Sequence, residues 1–344
     1  MLKIKGLATG IGSLPHKDAG VALDLIFKYL AQIPFWPQLP QRDTREGMVA
    51  QFSENLPGVK LTAQGLTFRP DDQELEVFYE RLIAQDTDYF KIGPDFALGL
   101  DRFYARLKKE NLKGVEFIKC QVTGPFTFSA TINDADGQAL LHNAVYRQAI
   151  LKGLAMKALW QVNLFKQFGK KIILFFDEPY LGCFGSAFTP INREDVIRGL
   201  GELTAQVKSK DVLVGVHCCG NTDWSIFTDI ETIDIISFDA FGFLERLLLY
   251  AEDLKGFFKR GGILCWGIVP TGEFSPAIRP QALEEKINSG VEALVKKGLD
   301  KDALLKQMLI SASCGLGSLD TEKSDNIFRL LFEISKKLRN KNNG

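Results

Sequence analysis

The stretch "VLVGVHCCGNTDW" (212–224) ends an apolar run on His217, Cys218 and Cys219. In an extended chain, residues two apart point to the same face. His217 and Cys219 can therefore converge on one ion, while Cys218 points away as a small apolar filler. Alone, such a triplet reads as a core imidazole beside buried thiols. The strand-end position and a distant thiol, Cys314 in "SASCGLGS", favour a metal instead. Asp239, closing the next apolar run "IDIISFDA", could add an oxygen. One nitrogen and two thiolates suit Zn²⁺, with oxygen or a substrate atom in the remaining position. The ligands are too widely spaced for a zinc finger. The expected ion is thus catalytic, of the kind that deprotonates a substrate thiol and holds it for attack.

Two other polar strand ends carry complementary charge. Asp177, in "FFDEP", could take an ammonium group, and it reads equally as a cap or turn aspartate. In "GIGSLP", the backbone N–H groups and hydroxyl of Gly12 and Ser13 could hold a carboxylate, although a plain tight turn has the same composition. Together they match the two charges of an amino acid. Cys120, Cys183 and Cys265 have no partner at useful spacing and read as packing residues, and His16 and His142 have no ligand pattern around them.

These residues need elements to position them. Short β-rich runs end in Gly, Pro, Asp or Cys: 7–13, 33–39, 89–93, 115–124, 172–179, 212–219, 233–240, 262–270 and 307–315. Amphipathic helical stretches lie between them, the longest over 140–168, and a last helix covers 324–341. Such alternation implies a parallel sheet. With no linker-like tract, the whole of 1–344 reads as a single α/β domain, a (β/α)₈ TIM barrel with one extra strand-like piece, taken as "YFKIG". A doubly wound sheet is the alternative, but "TGIGSLPH" lacks the third glycine of a dinucleotide fingerprint. In a barrel, Ser13, Thr123, Asp177, His217, Cys219, Asp239 and Cys314 would share the C-terminal rim, where active sites are built.

The 46% hydrophobic content supports a sizeable core, and 42 basic against 42 acidic residues leave no net charge. Neither nucleic acid nor an anionic membrane is expected as a partner, since both favour a basic surface. The basic tail "KKLRNKNNG" reads as a solvated helix end. No apolar run reaches the roughly 18 residues of a membrane helix, and "MLKIKGLATGIGSLP" turns polar before a signal sequence could form. The six cysteines read as thiols, and the expected location is the cytoplasm.

The segments "TGIGSLP", "EGMVAQF", "VTGPFT", "FFDEPYL", "VHCC", "IISFD" and "SCGLGSLD" follow one another over most of the chain. In this order they resemble the C-terminal catalytic barrel of cobalamin-independent methionine synthase, within the uroporphyrinogen decarboxylase-like group of barrels. The resemblance implies that Ile11, Gly12 and Ser13 bind the carboxylate of L-homocysteine and that Asp177 takes its amino group. It also implies that His217, Cys219 and Cys314 ligate zinc. Asp239 stands where that family usually has a glutamate as fourth ligand, with a shorter reach.

The departures from that family concern its folate half. Thr131 replaces a tryptophan used against the folate, and Cys183 a folate-contacting glutamate. Ile268 or Gly267 occupies the place of the proton-donating histidine, and Arg42 lies near that of an acidic homocysteine contact. A folate leaving group would be poorly bound and unprotonated. A methylated corrinoid needs neither aid, so the expected donor is methylcobalamin or a methyl-corrinoid protein partner, and the expected product is methionine. The rivals are transfer to another thiol such as coenzyme M, whose sulfonate Asp177 would repel, and a non-catalytic, zinc-stabilised corrinoid-binding barrel. Uroporphyrinogen decarboxylase itself would have only Arg42 and Arg45 as carboxylate anchors.

Overall fold

The computed structural model describes residues 4–186 and 191–340. Its strands are β1 (Leu7–Ala8), β2 (Val59–Thr62), β3 (Gly65–Phe68), β4 (Phe117–Thr123), β5 (Lys171–Asp177), β6 (Val212–Cys218), β7 (Ile235–Phe238), β8 (Ile263–Val269) and β9 (Met308–Ala312). The helices before β5 are α1 (Ala19–Tyr29), α2 (Asp72–Ile83), α3 (Leu98–Leu107), α4 (Pro125–Thr131) and α5 (Ala144–Phe165). Those after it are α6 (Arg193–Val207), α7 (Ser225–Thr228), α8 (Ala240–Leu247), α9 (Ala251–Lys259), α10 (Pro280–Lys296), α11 (Lys301–Lys306) and α12 (Thr321–Asn340). Positions 341–344 of the basic tail lie outside the described residues.

Seven strands form one curled parallel sheet in the order β1-β9-β8-β7-β6-β5-β4, an α/β fold of TIM-barrel type. Chain order is followed except that β9 returns to pair with β1, which wraps the sheet round an interior. The run 33–39 is not a regular strand. Phe35 makes one isolated bridge to Lys119 of β4, and Gln38 another to Ser13. Lys119 N donates to Pro34 O at 2.9 Å, and Gln38 N to Gly12 O at 3.1 Å. Pro34 and Pro37 have no N–H to give, so a continuous ladder cannot form through them. "YFKIG" is a turn outside the sheet. The antiparallel β2–β3 hairpin escapes a reading by apolar runs, because most of its side chains face solvent.

Alternation along the strands makes two cores. One fills the space between sheet and helices. The other fills the interior with Phe117, Ile173, Phe175, Ile235, Ile263 and Leu309. Nearer the C-terminal strand ends the same inward positions turn polar, as in Lys119, Gln121 and Thr123 of β4. No helix is long and apolar enough to cross a membrane among the described residues.

Candidate active site

Strand register assembles a polar row. Thr123 lies opposite Asp177, Asp177 opposite His217, and His217 opposite Ser237. Parallel pairing brings all four to the C-terminal edge of the sheet. His217 is 3% exposed. Its Nδ1 lies 2.9 Å from Ser237 Oγ, while its Nε2 is buried without a hydrogen-bond partner. A buried imidazole nitrogen left unpaired is costly, and a metal ligand is one way to satisfy it. Cys219 follows β6 and Cys314 follows β9; their Sγ atoms and a ring nitrogen of His217 all lie within 4.8 Å of one another. Cys218 points the other way into the outer core, its Sγ 3.6 Å from Gly220 O.

The three groups are electrostatically coupled. The hydrogen bond from Cys219 holds the Cys314 thiol well below its usual range, and the His217 ring adds to this. The same bond, with burial, pushes Cys219 upward. Two sulfurs and a ring nitrogen brought together in this way are the donor set of a soft or borderline cation. Asp239 stands outside this cluster. Its carboxylate caps α8, with Oδ1 accepting from Gly242 N at 2.8 Å. That bond commits the oxygen to a helix end, where negative charge is favoured.

Asp177 is 5% exposed, and its Oδ1 has no partner. Burial pushes the carboxyl up to about 6, against the pull of Lys119 and His217. The Ile11–Gly12–Ser13 turn lies between β1 and the return of the chain after β9. Leu316 N donates to Ser13 O at 2.9 Å, and Gly317 N to Ser13 Oγ at 3.2 Å. The turn is thus tied to the loop that carries Cys314. No protein acceptor is bonded to the N–H groups of Gly12 or Ser13 among the described residues.

The motifs "VTGP" and "DEP" meet in one clamp. Buried Glu178 accepts from Phe126 N at 3.0 Å, Thr127 N at 2.8 Å and Thr127 Oγ1 at 2.7 Å, which caps the start of α4. A side chain at Gly124 would put its Cβ 2.2 Å from the Glu178 carboxyl carbon, so the approach requires glycine. Ser237, Lys119 and Gln121 were not singled out by sequence reasoning. The available signal was polar residues at alternate positions of apolar runs, 119, 121 and 123 in one and 237 in another.

The family's folate positions have local explanations here. Thr131 ends α4 with its hydroxyl bonded to Thr127 O at 2.9 Å. It lines an open cavity of about 760 Å³ with Met48, Leu61, Thr127 and Tyr180. Cys183 is exposed, and Arg42 is paired with buried Glu46. Ile268 is buried in the outer core. Gly267 packs so closely that a Cβ would lie 2.7 Å from Phe238 O.

No family model matches the chain, and no curated protein sequence matches it. Among solved structures, a B12-independent methionine synthase from Shewanella sp. W3-18-1, in complex with selenomethionine, is similar at 17% identity, with 98% of each chain covered and a TM-score of 0.58. The likeness is one of fold. The chitinase RmChi1 from Rhizomucor miehei matches at 15% identity over 68% of this chain and 86% of that one, with a TM-score of 0.34. A modular endo-β-1,4-mannanase from Cellulomonas fimi matches at 12% identity over 61% and 62%, with a TM-score of 0.27. Neither of these two carries an argument. The fold shared end to end with the first is the α/β barrel type described above.

Proposed function

We propose that this chain is a thiol S-methyltransferase of methionine synthase type, which methylates L-homocysteine with a methyl group from a methylated corrinoid. One observation carries the reading: His217, Cys219 and Cys314 converge at the same rim as Asp177, whose Oδ1 has no partner, and a turn whose Gly12 and Ser13 N–H groups meet no acceptor among the described residues. In this reading the barrel is closed, with segment 33–38 standing between β1 and β4 in place of an eighth strand.

The donor set fits zinc. His217 Nε2 is an orphaned buried nitrogen, and the sulfurs of Cys219 and Cys314 lie within 4.8 Å of a ring nitrogen of the same histidine. His217, Cys219 and Cys314 would hold the ion, while one oxygen of Asp239 caps α8. When bound, zinc supplies the Lewis acidity that makes a thiolate from a thiol at neutral pH. The chain's own groups do the rest. Asp177 takes the ammonium of homocysteine, and the 11–13 turn takes its carboxylate. Ser237 holds the His217 ring in one orientation. In the transfer, the carbon–cobalt bond of the donor breaks with its electron pair left on cobalt, a carbon–sulfur bond forms, and the thiol proton is lost.

A corrinoid donor is favoured by what surrounds the rim. A histidine at Gly267 would collide with backbone, so that route to a proton donor for a folate nitrogen is closed. Thr131 offers no ring to stack on a pterin, and Cys183 no carboxylate.

The decisive test is anaerobic methyl transfer from methylcobalamin to L-homocysteine, read as methionine, with methyl-tetrahydrofolate run in parallel. Methionine from the cobalamin alone is expected. Cys219→Ser or Cys314→Ser should lose zinc and activity together. Asp177→Asn should raise the KM for homocysteine about tenfold or more at unchanged zinc content, the loss of one charge-assisted hydrogen bond. Methionine from the folate would overturn the donor, and a kinetically silent Asp177→Asn would overturn the amino-acid site.

A further inference from the structure

Lys119 is a buried cation that the proposed chemistry leaves unused. It is the third residue of β4, "FIKCQVT", and is 1% exposed inside the sheet. Its Nζ donates to Ile11 O and, at 3.1 Å, to Gln121 Oε1. The ammonium also lies over two rings, 5.5 Å from the centre of Phe35 and 5.2 Å from that of Phe175. Burial lowers it to about 8, opposed first by Asp177. A lysine in a core costs several kcal/mol unless its charge is answered, so a position that retains one calls for a reason.

The reason lies in the peptide it grips. In a trans peptide unit the C=O and the following N–H point in opposite directions. Lys119 pulls the Ile11 carbonyl into the interior, which turns the Gly12 N–H outward to the rim. The next unit is set likewise: Gln38 N takes the Gly12 carbonyl at 3.1 Å, which turns the Ser13 N–H away from the Gln38 side. Lys119 is itself fixed through Gln121, whose Nε2 donates to Trp36 O at 2.9 Å and whose backbone O accepts from Gln161 Nε2 at 3.1 Å. Gln161 in turn accepts from Trp36 Nε1 at 2.8 Å.

We infer that Lys119 is a positioning residue for the carboxylate end of the substrate: from beneath the Ile11–Gly12–Ser13 turn it holds the Gly12 N–H toward the rim, beside the Ser13 N–H that Gln38 sets, and supplies the positive charge behind them. This rests on the amino-acid thiol reading above. Lys119 touches the turn and not the substrate, so its removal should weaken binding of thiols that carry the carboxylate and spare those that lack it.

The test uses the full-length, zinc-loaded protein and its Lys119→Met and Lys119→Gln variants; the second serves if the first does not fold. Calorimetric titration compares L-homocysteine with 3-aminopropane-1-thiol, which is homocysteine without its carboxylate. The expected result is a loss of about tenfold or more for homocysteine and less than about twofold for the aminothiol. KM for homocysteine should rise while kcat stays within about threefold. Hydrogen exchange at the Gly12 amide, measured without substrate, should speed up in the variants. Equal losses for both thiols, or none for either, would overturn the inference, as would unchanged exchange. If the wild-type protein failed to bind homocysteine while exchange still quickened in the variants, the thiol assignment would fall and the hold on the turn would stand.

Discussion

His217 has two ring nitrogens with different fates. One meets Ser237 at 2.9 Å, and the other is buried with nothing to bond. The first bond fixes the ring so that the second nitrogen stays aimed at Cys219 and Cys314, as outer partners of ligating histidines do. Ser237→Ala should therefore weaken zinc binding about ten- to a hundredfold, read by competition with a chelator, and leave the fold intact. Equal zinc affinity in the variant would mean that packing alone orients the ring. His217, Cys219 and Cys314 were legible because their chemistry is rare and each closes an apolar run. Ser237 was not, since a serine in a strand has no such signature. Asp239 is legible in part: sequence places a carboxylate at the rim but says nothing of the Gly242 amide that donates to one of its oxygens.

At the scale of elements, α5 carries a cost within its length. Lys157 is fully buried there, with Phe90 O at 3.5 Å as its one acceptor among the described residues. Burial lowers it from 10.5 to about 8, opposed by Glu54. The sign follows from the proton count: between those values the unfolded chain binds a proton that the folded chain does not, so stability rises with pH. This contribution is complete above pH 10.5 and is lost as pH falls through about 8. Lys157→Met should stabilise the protein by about 1–3 kcal/mol at pH 7 and flatten that rise. Urea unfolding from pH 7 to 10.5 checks both. A helix signal over 140–168 was plain in the sequence, but not which residues α5 would bury, because it is covered nearly all round. Strand runs were legible wherever both faces are apolar, as in β5. The run 33–39 had the right composition, yet its prolines remove the donors a ladder needs.

For the molecule as a whole, the proposed metal ligands sit at one rim, while two cores lie elsewhere, between sheet and helices and inside the curl. Neither Cys219 nor Cys314 belongs to either apolar core among the described residues. Chelation should thus abolish methyl transfer and leave far-UV circular dichroism unchanged, with a drop in Tm of about 10 °C or less. Unfolding on chelation would favour the structural-zinc reading instead. The bond from Gly317 N to Ser13 Oγ spans 304 residues. Its consequence appears during synthesis. The turn proposed to hold a carboxylate leaves the ribosome long before Cys314 does, and His217 and Cys219 lie between them in the sequence. A nascent chain can thus gather at most two of the three proposed ligands, so full loading with the proposed ion would be a late event that reports the return of β9 beside β1.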